Sequence, residues 1–125
     1  MKIKTSELTG KALDWAVARA IGAVEITEGT TRRLELPDGY SVYYRYASTF
    51  SPSTTWSQCG ELIDKYLIEL NNQVISENAI EHWATCMDEY IYGSTALEAV
   101  CRIVVHVKLG DEIDIPDELL RVNLN

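Results

Sequence analysis

Thr95-Ala96-Leu97-Glu98-Ala99-Val100-Cys101-Arg102-Ile103-Val104-Val105-His106-Val107-Lys108-Leu109, followed by Gly110, predicts a helix that is apolar on nearly every side. Only one polar row interrupts it: Ser94, Glu98, Arg102 and His106, each four residues from the next. A helix with so little polar surface belongs in the centre of a domain or at a subunit interface. Glu98 precedes Arg102 in the favourable order for an ion pair along one helix face. The rest of the chain must therefore supply layers that cover this helix.

Upstream, Lys11 to Gly22 carries apolar residues at 13, 16, 17 and 20 on one helical face, with Gly22 as a natural stop. Trp15 and Arg19 are four apart on that helix and can stack. Residues 33–46 read as a hairpin: Arg33-Leu34-Glu35-Leu36 alternates, Pro37-Asp38-Gly39 turns, and Tyr40 to Tyr46 is rich in strand formers. Val24-Glu25-Ile26 adds a short strand. Trp56, Leu62, Ile63 and Tyr66 fall at helical intervals, so Trp56 to Lys65 is expected to be helical, capped by Ser53, Thr54 or Thr55. Tyr66 to Leu70 and Gln73 to Ile75 are expected to be short strands around a turn at Asn71-Asn72. His82 to Met87 is a further strand candidate. The expected fold is α+β: one small domain over residues 1–125, an antiparallel sheet with helices packed mainly on one face.

The 125 residues suit one domain with a real core, and 46% hydrophobic content is ordinary for a globular chain. No apolar run is long enough for a transmembrane helix, and Met1 to Glu7 lacks the apolar core of a signal peptide. A cytoplasmic protein without a membrane partner is expected. Cys59, Cys86 and Cys101 form no CxxC pair and cannot all pair internally, which fits a reducing compartment. A net charge of −8 argues against nucleic acid as a partner, since a phosphate backbone requires clustered Lys and Arg. The same acidity permits a basic protein partner. Part of it lies in Asp111 to Glu118, which reads as a solvated C-terminal segment.

Enzyme signatures such as GxSxG, GxxxxGK[ST], HExxH and GxGxxG are absent. His82 and His106 stand alone, without metal-ligand spacing, so neither a metal nor a cofactor is expected. Cys59 has no local partner to activate it as a nucleophile, and no carboxylate pair is singled out for acid–base work. Binding is better supplied. Phe50-Ser51-Pro52-Ser53-Thr54-Thr55-Trp56-Ser57-Gln58 is a hydroxyl-rich loop with two aromatics, the kind of segment that carries recognition on a rigid scaffold. Gly93-Ser94-Thr95 opens the apolar helix, and a helix start can seat an anion. The residues expected to form a pocket are Ser51, Ser53 and Thr54 for hydroxyls, Trp56 for a flat ring, and Gly93, Ser94, Thr95 and Arg102 for phosphate.

The chain resembles the NinX family of lambdoid phages and prophages, encoded in the phage nin region. The resemblance is carried by Lys4 to Ala18, reading KTSELTGKALDWAVA, and by Phe50 to Gln58. It continues in Gly93-Ser94-Thr95-Ala96-Leu97-Glu98-Ala99 and Lys108 to Pro116. Two positions depart from the family pattern. Cys59-Gly60 stands where the family has Gly-Gly, and Gly93-Ser94-Thr95-Ala96 where it has Gly-Pro-Thr-Pro. The resemblance implies a phage accessory protein made in the bacterial cytoplasm. Such proteins often counter host defence, some by soaking up nucleotide signals. The function expected is non-catalytic sequestration of a small nucleotide-derived host molecule, of ADP-ribose or cyclic-nucleotide type, by a homo-oligomer. The alternatives are an inhibitor or adaptor acting on a host or phage protein through its acidic surface, and a nucleotide-signal hydrolase.

Overall fold

The computed structural model describes residues 1–122, with side chains through Leu120. The apolar run forms helix α3, Ala96–Leu109, named here in chain order after α1, Gly10–Ala20, and α2, Trp56–Tyr66. Leu97, Ala99, Val100, Cys101, Ile103, Val104 and Val105 of α3 are buried within the protomer. The central placement is met by the chain's own layers. Thr95 caps the start of α3, and Gly110 follows its last turn at φ +100°, a conformation L side chains rarely adopt.

Eight strands cover the helices among the described residues: β1 Lys2–Lys4, β2 Val24–Glu28, β3 Thr31–Glu35, β4 Ser41–Tyr43, β5 Glu69–Ser76, β6 Ala79–Cys86, β7 Glu89–Gly93 and β8 Glu112–Asp114. They make three antiparallel sheets, β1-β8, β2-β3-β4 and β5-β6-β7, rather than one. A 3-10 turn over Thr5–Glu7 follows β1, and α4, Asp117–Val122, follows β8. α3 packs against β6 and β7 on one side and against α1 and α2 on the other. Leu13, Ala16 and Val17 of α1 and Leu62 of α2 close the core. The α+β architecture with helices on sheets follows from these contacts.

The expected hairpin is present, with β3 and β4 joined through the Pro37-Asp38-Gly39 turn; β2 adds the third strand as Val24–Glu28. β4 stops at Tyr43 instead of running to Tyr46. The chain folds back there, and Ser48 Oγ accepts the Tyr43 N–H at 3.0 Å while Ser41 O accepts the N–H groups of Thr49 and Phe50. Arg19 stacks over Trp15 as expected, 5.8 Å from the ring centroid.

The turn expected at Asn71-Asn72 does not form. Both residues lie inside β5, opposite Trp83 and His82, and the reversal comes at Glu77-Asn78. Asn71 donates to Thr85 Oγ1 at 3.2 Å, so the amide that would bond its own turn bonds the next strand. Tyr66 ends α2 instead of starting a strand. The acidic C-terminal segment is not merely solvated: Glu112–Asp114 pairs with β1, and Ile115 and Leu119 are fully buried. Glu118 takes Arg32 and Arg45 as partners.

Gly93 ends β7 where it crosses α3. A Cβ there would lie 2.4 Å from the Ala99 nitrogen and 2.8 Å from its Cα, both backbone atoms that cannot rotate aside. Gly93→Ala is therefore expected to destabilise the protein by about 1–3 kcal/mol, the range for overpacking. A melting curve checks it, and an unchanged midpoint would mean that β7 and α3 separate freely.

Candidate functional site

The loop before α2 is bonded chiefly to itself and to α1. Ser51 N–H donates to Gln58 Oε1 at 2.7 Å, Gln58 Nε2 donates to Thr49 O at 2.8 Å, and the Ser51 and Thr55 hydroxyls lie 3.0 Å apart. Thr55 holds the cap position of α2, yet no hydroxyl bonds the helix amides, so the expected side-chain cap is not made. Ser53 is buried; its N–H donates to Asp14 Oδ1 at 2.9 Å, and its hydroxyl lies near the same carboxylate without a well-aligned hydrogen bond among the described residues. Thr54 is exposed, and Trp56 stands 60% exposed at the start of α2, outside the core.

Asp14 was not singled out by the sequence, where it is one carboxylate among many. In the fold it is 6% exposed, and burial pushes its carboxyl up to about 6 although the Ser53 N–H, the nearby Ser53 hydroxyl and Lys11 pull it back. It pins the loop to α1. The thiols of Cys59 and Cys101 meet in the α2–α3 contact and are both fully buried, which removes Cys59 from contact with any substrate.

At the start of α3 the seat expected for phosphate holds a carboxylate of the chain itself. Thr95 Oγ1 accepts the Glu98 N–H at 3.1 Å, and Glu98 Oε1 accepts the Ser94 N–H at 2.8 Å. This is a capping box in which the acid reaches one residue further back than usual. Arg102, only 8% exposed, places Nη2 3.1 Å from Glu98 Oε1, Nε 2.9 Å from Leu8 O and Nη1 2.9 Å from Tyr92 O. Every guanidinium nitrogen has a partner within the protein. Gly93 serves the close approach of β7 to α3.

Two clefts meet at Tyr66 instead. One, of about 230 Å³, lies between the β3–β4 turn and α2; its walls include Tyr40, Phe50, Lys65 and Tyr66, and also two carboxylates, Asp38 and Glu61. The second, of about 620 Å³, has Lys65, Tyr66, Leu67, Met87, Val107 and Lys108 in its walls. Lys65 and Tyr66 line both clefts, and Leu67 ends α2 beside them in a left-handed conformation, φ +53°. Lys65 Nζ and Lys108 Nζ lie 5.6 Å and 5.1 Å from the Tyr66 ring centroid. Neither lysine makes an ion pair among the described residues, and the same holds for Lys2, Lys4 and Lys11, whereas Arg32, Arg33, Arg45 and Arg102 do. None of the eight residues expected from the sequence lines either cleft. Lys65, Tyr66 and Lys108 come from two different helices, so no spacing in the sequence joins them.

A third hollow, of about 400 Å³, has His106 in its wall with Thr5, Tyr90 and Asp111. His106 Nδ1 lies 2.9 Å from Asp111 Oδ1, and Nε2 meets Glu89. Both ring nitrogens thus face carboxylate oxygens of the chain itself. Among the described residues no group of three or more His, Cys, Asp or Glu is placed to hold a metal. No described helix is long and apolar enough to cross a membrane.

No curated protein matches the chain. A family model described as Bacteriophage P22, NinX matches residues 4–108, from the 3-10 turn region through α3, and the chain belongs to this NinX family.

Proposed function

We propose that the protein is a phage accessory protein that binds and sequesters a small, anionic, ring-bearing molecule of the nucleotide-signal type at the Tyr66 clefts, without chemical change to it. It would act in the cytoplasm of the bacterial host. The observation that carries this reading is the Tyr66 ring flanked by Lys65 and Lys108, two exposed cations held 5.6 Å and 5.1 Å from its centroid, beside two clefts in a chain of net charge −8. A base can stack on Tyr66 or Tyr40, and phosphates can take the two ammonium groups. The Ser51, Ser53, Thr54 and Trp56 loop would then support α2 rather than contact the ligand, and Arg102 would hold α3 in place.

Two measurements test the reading. Protein isolated from infected, defence-active cells is heated and the released small molecules are identified by mass spectrometry; an intact nucleotide is expected. Calorimetric titration with ADP-ribose and with a cyclic dinucleotide then compares Tyr66→Ala with the wild type. Loss of a stacked base weakens binding by roughly 1–3 kcal/mol, with the melting temperature following separately. Binding that survives Tyr66→Ala but fails in Trp56→Ala would move the ring to Trp56. Release of an altered nucleotide would make the protein a hydrolase. A host protein recovered with no small molecule would make it an inhibitor.

A further inference from the structure

The β5-β6-β7 sheet ends on β5, whose backbone pairs with β6 on one side and with no described strand on the other. Its burial runs exposed at every position except Asn71, and from Leu70 to Ser76 it carries neither charge nor proline. An edge of this kind is a template for another strand, and proteins commonly blunt it with charge, proline or a covering segment. The neighbouring edges are blunted. β2 carries Glu25 and Glu28. The free side of β4 is taken up by residues 48–50 through the bonds to Ser41 and Tyr43. β7 lies against the 3-10 turn, and its Tyr92 carbonyl accepts from Arg102. The one irregularity of β5, between Val74 and Ser76, sits at the hairpin tip and leaves 69–74 in regular ladder.

We propose that β5 pairs antiparallel with β5 of a second copy about a two-fold axis at Asn72, joining the two sheets into one. The strand reads apolar, amide, amide, amide, apolar from Leu70 to Val74, so its chemistry is the same in either direction. In this register Leu70 lies opposite Val74 of the partner subunit, Asn71 opposite Gln73 of the partner subunit, and Asn72 opposite Asn72 of the partner subunit. Opposed residues of an antiparallel pair share a face. Leu70, Asn72 and Val74 share the face of buried Ala84, by their ladder positions and the two-residue period. Apolar therefore meets apolar on that face, and amides meet amides on both. Val74, exposed by 69%, gains cover from the strand added beside it. The chain's net negative charge does not oppose the contact locally, because the pairing segment is neutral. A second copy satisfies this pattern at every position, which is the mark of an isologous contact.

Light scattering of the full chain at high micromolar concentration is expected to give twice the chain mass. Asn72→Lys sets two like charges opposite one another at the axis and is expected to give a folded monomer, with the wild-type circular dichroism spectrum and a melting temperature that no longer rises with protein concentration. Asn72→Cys supplies a readout that does not depend on tolerance of the lysine. Opposed Cα atoms in an antiparallel pair are about 4.5–5.5 Å apart, within disulfide reach, so oxidation should cross-link this variant into a dimer. Glu69→Cys, which would face Ile75 of the partner subunit, should not cross-link. A wild type that is monomeric throughout, a dimer that neither yields to Asn72→Lys nor cross-links at position 72, or a cross-link at 69 in place of 72 overturns the proposal.

Discussion

Arg102→Ala is expected to lower the unfolding free energy by about 3–5 kcal/mol, the usual loss when one partner of a buried charged pair is removed. Arg102 has 10% of its side chain exposed and Glu98 14%, so water replaces little of what is lost. The substitution also strips the Leu8 and Tyr92 carbonyls of their side-chain donors and unties the segment before α1 and the end of β7 from α3. Arg102→Lys should recover only part of the loss, because one ammonium cannot reach three acceptors spread around a planar fork. Chemical denaturation measures both. An anion-binding Arg102 would instead show weakened ligand affinity at unchanged stability, and a stable Arg102→Ala variant would overturn its structural role.

The second large effect concerns Asp14 and depends on pH. Its folded carboxyl titrates at about 6, against 3.8 for the unperturbed group, so between those values the folded state binds more protons than the unfolded chain. Stability from this group is therefore fully present below about 3.8 and falls as pH rises through 6. Two units of displacement correspond to about 3 kcal/mol, an order-of-magnitude figure. Asp14→Asn keeps an oxygen to accept the Ser53 N–H and removes the charge that burial opposes. The variant is expected to be the more stable protein at pH 7.5, by up to about 3 kcal/mol, and to match the wild type near pH 4. Other carboxylates move the opposite way: Asp114 is held low by the Met1 ammonium, and Glu25 by Arg32. The difference between variant and wild type, measured calorimetrically at both pH values, isolates Asp14. Equal stability at pH 7.5 would mean that the carboxylate is well solvated.

The helices were legible because their signals are local. α1 and α3 repeat apolar residues at helical spacing and end at Gly22 and Gly110, and the β3–β4 hairpin announces itself through Pro37-Asp38-Gly39. β7 was missed because Tyr90, Ile91 and Tyr92 form too short a run to stand apart from the helix that follows. Asn71-Asn72 misleads because turn propensity is weak, and a ladder of seven pairs with β6 outweighs it. The acidic stretch 111–118 looked solvated because its charges dominate the composition. Its burial rests on Ile115 and Leu119, which charge counting passes over.

For the site the division is sharper. The Thr95-x-x-Glu98 capping box was present in the sequence, but Glu98 was matched only to Arg102, and its reach back to Ser94 is what fills the helix start. Which donors remain open is a three-dimensional property. Arg102 takes partners 94 and 10 residues away, Asp14 binds a loop 39 residues on, and Lys65 and Lys108 converge on one tyrosine from separate helices. The sequence by itself determined the central helix, the α+β class and the phage family, since periodicity, caps and motifs are written along the chain. Tertiary structure alone decided which polar groups are consumed by packing and which stay open to solvent, because burial and hydrogen-bond partnership depend on residues far apart in the chain.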